Sequence, residues 1–249
     1  MPDSWRSAAT PADPSLSLPP FMSHPDGAAR WMRWLAIAML LATYPAQAWL
    51  PSMAAWENHW VENTQVVVLG GGLLLALVWC HASADARVRA LCRAAAVLWA
   101  ILMARELSWG GAFLPPVGFS SEGPFYSSRA LWYKPYVYPV LALLLAYSGY
   151  CIVRWRLDRI VVRCVPTVGF EALLIAAGIA LSTCAEGHGP DFLTAWMGSN
   201  PLVVEEWAEL AAYAALVSAQ WRVLVRWHAL SRAAAAPGTP PAHSTRSPH

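Results

Sequence analysis

Charge is what this chain has least of. Only 13% of its 249 residues are Asp, Glu, Lys or Arg, about half the share usual in a soluble domain. Lysine is nearly missing: Lys134 stands alone against 16 arginines among the 17 basic residues. A net charge of +2 excludes the dense basic surface that phosphate-backbone binding needs, so no nucleic-acid partner is expected. The five cysteines form no Cys-x-x-Cys or zinc-finger spacing. No His-Glu-x-x-His fixes a metal site, and neither Ser108 nor Ser182 stands in a Gly-x-Ser-x-Gly context that would make it a nucleophile. No internal repeat supports an inverted-repeat transporter.

What the chain does have is apolar sequence in runs. Hydrophobic residues make up 57% and the mean hydropathy is +0.39. The runs are too long and too continuous for an amphipathic soluble fold. They predict an all-α integral membrane bundle of six transmembrane helices, over residues 34–50, 66–81, 91–107, 136–153, 165–184 and 203–225. The membrane domain spans 30–230. The Pro-, Ser- and Ala-rich segments 1–29 and 231–249 read as disordered cytoplasmic tails, and the first does not resemble a secretory signal. Gly70-Gly71-Gly72 inside the second span predicts close helix approach. The 110–135 loop, rich in Pro, Gly and aromatics, is long enough to fold over the bundle.

Basic residues orient the bundle. With both termini on one side, that side holds Arg6, Arg30, Arg33, Arg87, Arg89, Arg93, Arg154, Arg156, Arg159, Arg163, Arg222, Arg226, Arg232 and Arg246. Only Arg105, Arg129 and Lys134 fall on the other. The positive-inside rule puts the first side in the cytoplasm of a bacterial inner membrane. Cys80, Cys92, Cys151 and Cys164 then lie at cytoplasmic ends and Cys184 alone at the outer level, so no structural disulfide is expected. Trp49, Trp56, Trp60, Trp109, Trp132, Trp196 and Trp207 share the outer level, as an interfacial aromatic belt would.

The same orientation sorts the acids. Glu57, Glu62, Glu106, Glu122, Glu186, Asp191, Glu205, Glu206 and Glu209 lie outside or in the outer half, with His59 and His188, while Glu171 sits in the inner half of the fifth span. Ionisable groups within spans mark functional sites by default. Arg105-Glu106 ends the third span and Glu205-Glu206-Trp207-Ala208-Glu209 opens the sixth. Glu209 can share a helix face with Glu205 or Glu206, and that repulsion calls for a proton, a metal or a cation. Arg105 is the cation nearest in depth. The candidate ligand- or cation-binding residues are therefore Arg105, Glu106, Glu205, Glu206, Glu209 and Glu62. The expected role is cation- or proton-linked binding, or service to a transporter. Two alternatives stand beside it. One is a metal-dependent membrane enzyme acting on a lipid or lipid-linked substrate, with zinc held by His59, Glu186 and His188. The other is a structural subunit whose charges only lock helices. Haem is not expected, since His81 and His228 sit at cytoplasmic ends among basic residues. The bilayer is the certain partner; a membrane protein or a second copy of the chain would be the next.

The stretch Glu106-Leu107-Ser108-Trp109-Gly110, followed by the Glu-rich start of a late span, resembles small uncharacterised polytopic inner-membrane proteins of bacteria with an acidic-x-Ser-aromatic-Gly motif. That resemblance implies an integral membrane location. In size the chain also resembles the alkaline ceramidase type of intramembrane hydrolase. Those rely on paired histidines in a late span, where this chain carries glutamates and only His228, after Arg226.

Overall fold

The computed structural model describes residues 25–120, 123–190 and 200–235. It is all-helical apart from one small hairpin. The long helices are α1 (Pro25–Trp49), α2 (Trp60–Ala82), α3 (Ala86–Glu106), α4 (Lys134–Trp155), α5 (Leu157–Thr183) and α6 (Pro201–Ala235). Between α3 and α4, strands β1 (Gly118–Ser120) and β2 (Gly123–Phe125) pair antiparallel, Phe119 opposite Pro124. Three segments are long and apolar enough to cross a membrane: Ser52–Ala82, Lys134–Trp155 and Leu157–His188. Their length and composition mark a membrane protein.

The helices overrun the apolar runs. α1 begins at Pro25, inside the stretch read from sequence as tail, and α6 continues to Ala235. Residues 1–24 and 236–249 of the expected tails lie outside the described residues. α2 starts at Trp60 and α3 at Ala86, each ahead of its apolar run. The reason is local. Arginine and glutamate are good helix formers, so a helix does not stop where hydrocarbon-compatible sequence stops. α3 starts instead at a cap, the Asp85 carboxylate accepting from the Arg87 N–H at 2.8 Å.

α6 is the central post. Ala208, Ala211, Ala214 and Ala215 are fully buried on it, and their small side chains let α1, α2 and α5 approach closely. Of the three glycines in α2, only Gly72 is used this way. A Cβ there would collide with the Trp99 indole, whereas Gly71 faces open space. At one end, Trp79, Cys92, Cys151, Ile160, Cys164, Leu224 and Trp227 form the largest apolar cluster. The five cysteines are free thiols. α4 stands apart: it buries only Cys151 along its length.

Chain direction brings the C-terminal ends of α1, α3 and α5 and the N-terminal ends of α2, α4 and α6 to one level. There Trp207 Nε1 donates to the Met39 carbonyl at 2.9 Å and Asn200 Nδ2 to that of Leu50 at 3.5 Å. The 110–135 loop folds over this end. The Tyr133 hydroxyl donates to the Trp109 carbonyl at 3.0 Å, and Asn58 Nδ2 to the Ala112 carbonyl at 3.1 Å.

Candidate functional site

Arg105 is the hub of that end. Its Nη2 lies 2.7 Å from Glu209 Oε2 and 3.0 Å from Glu106 Oε1. Tyr213 closes the group. Its hydroxyl is 2.7 Å from Glu106 Oε1, 3.4 Å from Glu209 Oε2 and 3.1 Å from Arg105 Nη2. The Ser182 hydroxyl donates to Glu209 Oε1 at 3.3 Å, which brings in α5. The Arg105 side chain is 51% exposed, while those of Glu106 and Glu209 are 7% and 17% exposed. One buried carboxylate, Glu106, and one half-buried carboxylate, Glu209, thus meet one partly exposed cation.

Helical spacing assembles the α6 part. Glu206, Glu209 and Tyr213 are three and four residues apart and share a face. Sequence alone left open whether Glu209 pairs with Glu205 or Glu206, and packing against α2 selects Glu206. Gln65 Nε2, fully buried, donates to Glu206 Oε2 and to the Glu206 carbonyl, both at 2.8 Å. Three residues before Gln65, the buried Glu62 accepts from the Asn58 N–H. Glu62 lies within electrostatic reach of Glu106 and Glu57, and Glu206 within reach of Glu209, Glu106, Glu205 and Glu62. Arg105, Glu106 and Glu209 are therefore joined through ion pairs and Tyr213, and Glu62 and Glu206 lie near them in the same polar layer, with Glu205 at its edge.

A second shelf lies above. Glu57 accepts from the Ser108 hydroxyl at 2.6 Å and from the Tyr126 N–H at 2.9 Å, joining the α1–α2 turn to the loop after α3. Ser108 and Trp109 have φ of 46° and 56°, followed by Gly110 at 97°. A left-handed non-glycine residue costs about 1–3 kcal/mol and persists where surrounding contacts dictate it. Here those contacts are the Ser108–Glu57 bond and the Trp109–Tyr133 bond.

The expected zinc ligands do not converge. His188 Nδ1 is 3.4 Å from Glu186 Oε2 in an exposed turn after α5, while His59 precedes α2 with Nδ1 buried and unbonded. Among the described residues no group of three or more His, Cys, Asp or Glu can hold a metal ion. His59 belongs to the entry of α2 and the Glu186–His188 pair to the turn after α5, where the Glu-x-His spacing gives a local pair. Asp191 and Glu122 lie outside the described residues.

Sequence reading missed Tyr213, Gln65 and Ser182. Each looks like an ordinary polar residue in an apolar helix, and the only signal was Tyr213 at four residues from Glu209. It also passed over Glu171 as a site. That carboxylate is fully buried at the other end of the bundle, 2.7 Å from Arg33 Nη2 and 2.7 Å from Arg222 Nε, and 3.3 Å from the Ser218 hydroxyl. Arg33 also lies over the Phe170 ring at 5.0 Å. This triad ties α1, α5 and α6 together. Comparison with protein-family models, with curated proteins and with solved structures found no match to the chain.

Proposed function

We propose that this is a six-span inner-membrane protein, with both termini in the cytoplasm, whose outer polar layer binds and releases protons in a binding or transport-accessory role. Three helices qualify as spans on apolarity alone. α1, α3 and α6 are 25, 21 and 35 residues long, at least about 31 Å each at 1.5 Å per residue. Their charges stand near helix ends or meet partners inside the bundle, as Arg33, Glu106, Glu209 and Arg222 do. The orientation follows from Arg30, Arg33, Arg87, Arg89, Arg93, Arg154, Arg156, Arg159, Arg163, Arg222 and Arg226 gathering at the end opposite Arg105.

The carrying observation is the charge balance of the layer. Of Glu62, Glu106, Glu206 and Glu209, only Glu106 and Glu209 are paired with a cation among the described residues, both with Arg105, while Glu62 and Glu206 meet neutral donors from Asn58 and Gln65. Full ionisation would leave uncompensated carboxylates in a low-dielectric bundle, which is far more costly than holding protons. Protons are favoured over a metal ion because Glu62, Glu206 and Glu106 are each held by a separate donor, from Asn58, Gln65 and Tyr213, and no group of three or more His, Cys, Asp or Glu among the described residues can hold a metal ion.

Infrared spectroscopy of the purified protein tests this. A protonated-carboxyl stretch that shifts in D2O, titrates with pH and weakens in Glu206→Gln is the expected result. A fully ionised layer at neutral pH, unchanged in that variant, would leave a structural lock as the better account.

A further inference from the structure

Beside the polar layer, on its open side, lies a pocket of about 440 Å³. It is lined by Arg105, Ser108, Ser128, Arg129, Lys134 and Tyr138 among others, three cations and, among the described residues, no carboxylate. The three cations expected on the outer side thus face one cavity. Arg129 makes no ion pair among the described residues, and Lys134 Nζ holds only the Ser128 hydroxyl, at 2.6 Å. Arg105 spends Nε and Nη2 on Glu106, Glu209 and Tyr213, so Nη1 has no protein partner among the described residues. The N-terminus of α4 starts at Lys134 and adds its dipole. Clustered cations with hydroxyl donors suit a phosphate group.

Below it runs an apolar crevice of about 700 Å³ between α3, α4, α5 and α6. The two cavities share helix faces. On α3, Arg105 of the pocket is followed by Ile101, Leu98, Ala94 and Leu91 of the crevice, at steps of four, three, four and three residues. On α4, Tyr138 of the pocket is followed by Leu145 and Ile152 of the crevice at steps of seven. Those steps keep side chains in line down a helix. From Arg105 to Leu98 is about 10 Å of helix, within the roughly 15 Å depth of one leaflet's hydrocarbon. α4, the outer wall, is exposed along its length, Leu145 by 52% and Ile152 by 46%.

We propose that this combined site binds an anionic phospholipid, its phosphate on Arg105, Arg129 and Lys134 and one acyl chain in the α3–α4 crevice. A free anion would use the pocket and leave the crevice unexplained; a neutral lipid would leave the cations unexplained. The proposal rests on the membrane placement proposed above but not on the protons of the polar layer.

The test uses full-length protein, delipidated in detergent, with phosphatidylglycerol, phosphatidylcholine and inorganic phosphate as separate probes, read by native mass spectrometry and thermal shift. Phosphatidylglycerol should bind and phosphatidylcholine should not. Arg129→Gln and Lys134→Gln should each weaken phosphatidylglycerol roughly tenfold, the scale of one lost charge-assisted contact. Leu98→Trp, which fills the crevice, should weaken the lipid while leaving the two cations in place. Binding of inorganic phosphate as tight as that of the lipid would make this a free-anion site and overturn the proposal. So would lipid binding indifferent to both cation variants. The infrared carboxyl band, untouched by Arg129→Gln, tells failure of this site apart from failure of the proton reading.

Discussion

Removing Arg105 is the sharpest perturbation of the polar layer. Arg105→Ala strands Glu209, 17% exposed, and Glu106, 7% exposed, each left with hydroxyl partners only. Breaking a buried pair costs about 3–5 kcal/mol, and an exposed one about 0–1 kcal/mol. Since the Arg105 side chain is half exposed, about 2 kcal/mol is expected, between those limits. For a chain of this size that lowers the melting temperature by about 4–8 °C. The assay is thermal melting in detergent as a double-mutant cycle with Glu209→Gln. Once Arg105 is gone, neutralising Glu209 should restore part of the loss, a coupling of about 1–2 kcal/mol. Glu205→Gln, at the edge of the layer, should restore little. Additivity of Arg105→Ala and Glu209→Gln within about 0.5 kcal/mol would refute the claim that the ends of α3 and α6 are electrostatically joined.

Two further outcomes are expected. A periplasm-active reporter fused after Gly123 or Pro190 should be active and one fused after Arg159 inactive; activity at Arg159 would reverse the bundle and place the polar layer at the cytoplasmic face. Glu171→Gln leaves Arg33 and Arg222 facing each other without their shared carboxylate, so folded yield and melting temperature should fall by the equivalent of about 3 kcal/mol or more, and an unchanged melting curve would show that the triad does not hold α1 to α5 and α6.

The two charged groups that meet α6, one centred on Arg105 of α3 and one on Glu171 of α5, differ in exposure. Arg105 is half exposed and lines a polar pocket, so its ion pairs with Glu106 and Glu209 stand beside an open cavity. Glu171 has no exposure and two cations of its own, so its charge is balanced in place and ties three helices. One central helix thus contributes to a partly exposed charged group near its start, through Glu209 and Tyr213, and to a buried one further on, through Ser218 and Arg222.

Much of this was legible in the residues alone. Apolar runs long enough for a bilayer place the helices, because no folded soluble core absorbs so much continuous hydrophobic sequence. The basic bias proposes an orientation, and it can be read from sequence because it depends on which loops carry arginine and not on contacts. That Arg105 would meet a carboxylate of the late helix, Glu206 or Glu209, was also readable from their shared depth, and packing selects Glu209. Helix ends were not readable: apolarity reports where lipid is tolerated, while helices continue through Arg30, Arg87 and Arg226 into polar sequence. Which carboxylates face inward, and that Tyr213, Gln65 and Ser182 serve them, depends on how each helix is rotated about its axis. That rotation comes from packing, such as Trp99 against Gly72 and the alanine face of α6 against α1 and α5. His59 and His188 had plausible ligand chemistry at matching depth, but depth is one coordinate of three. Only the tertiary structure sets the other two, and among the described residues it gathers no group of three or more metal-ligating residues while drawing Arg105, Arg129 and Lys134 around a single pocket.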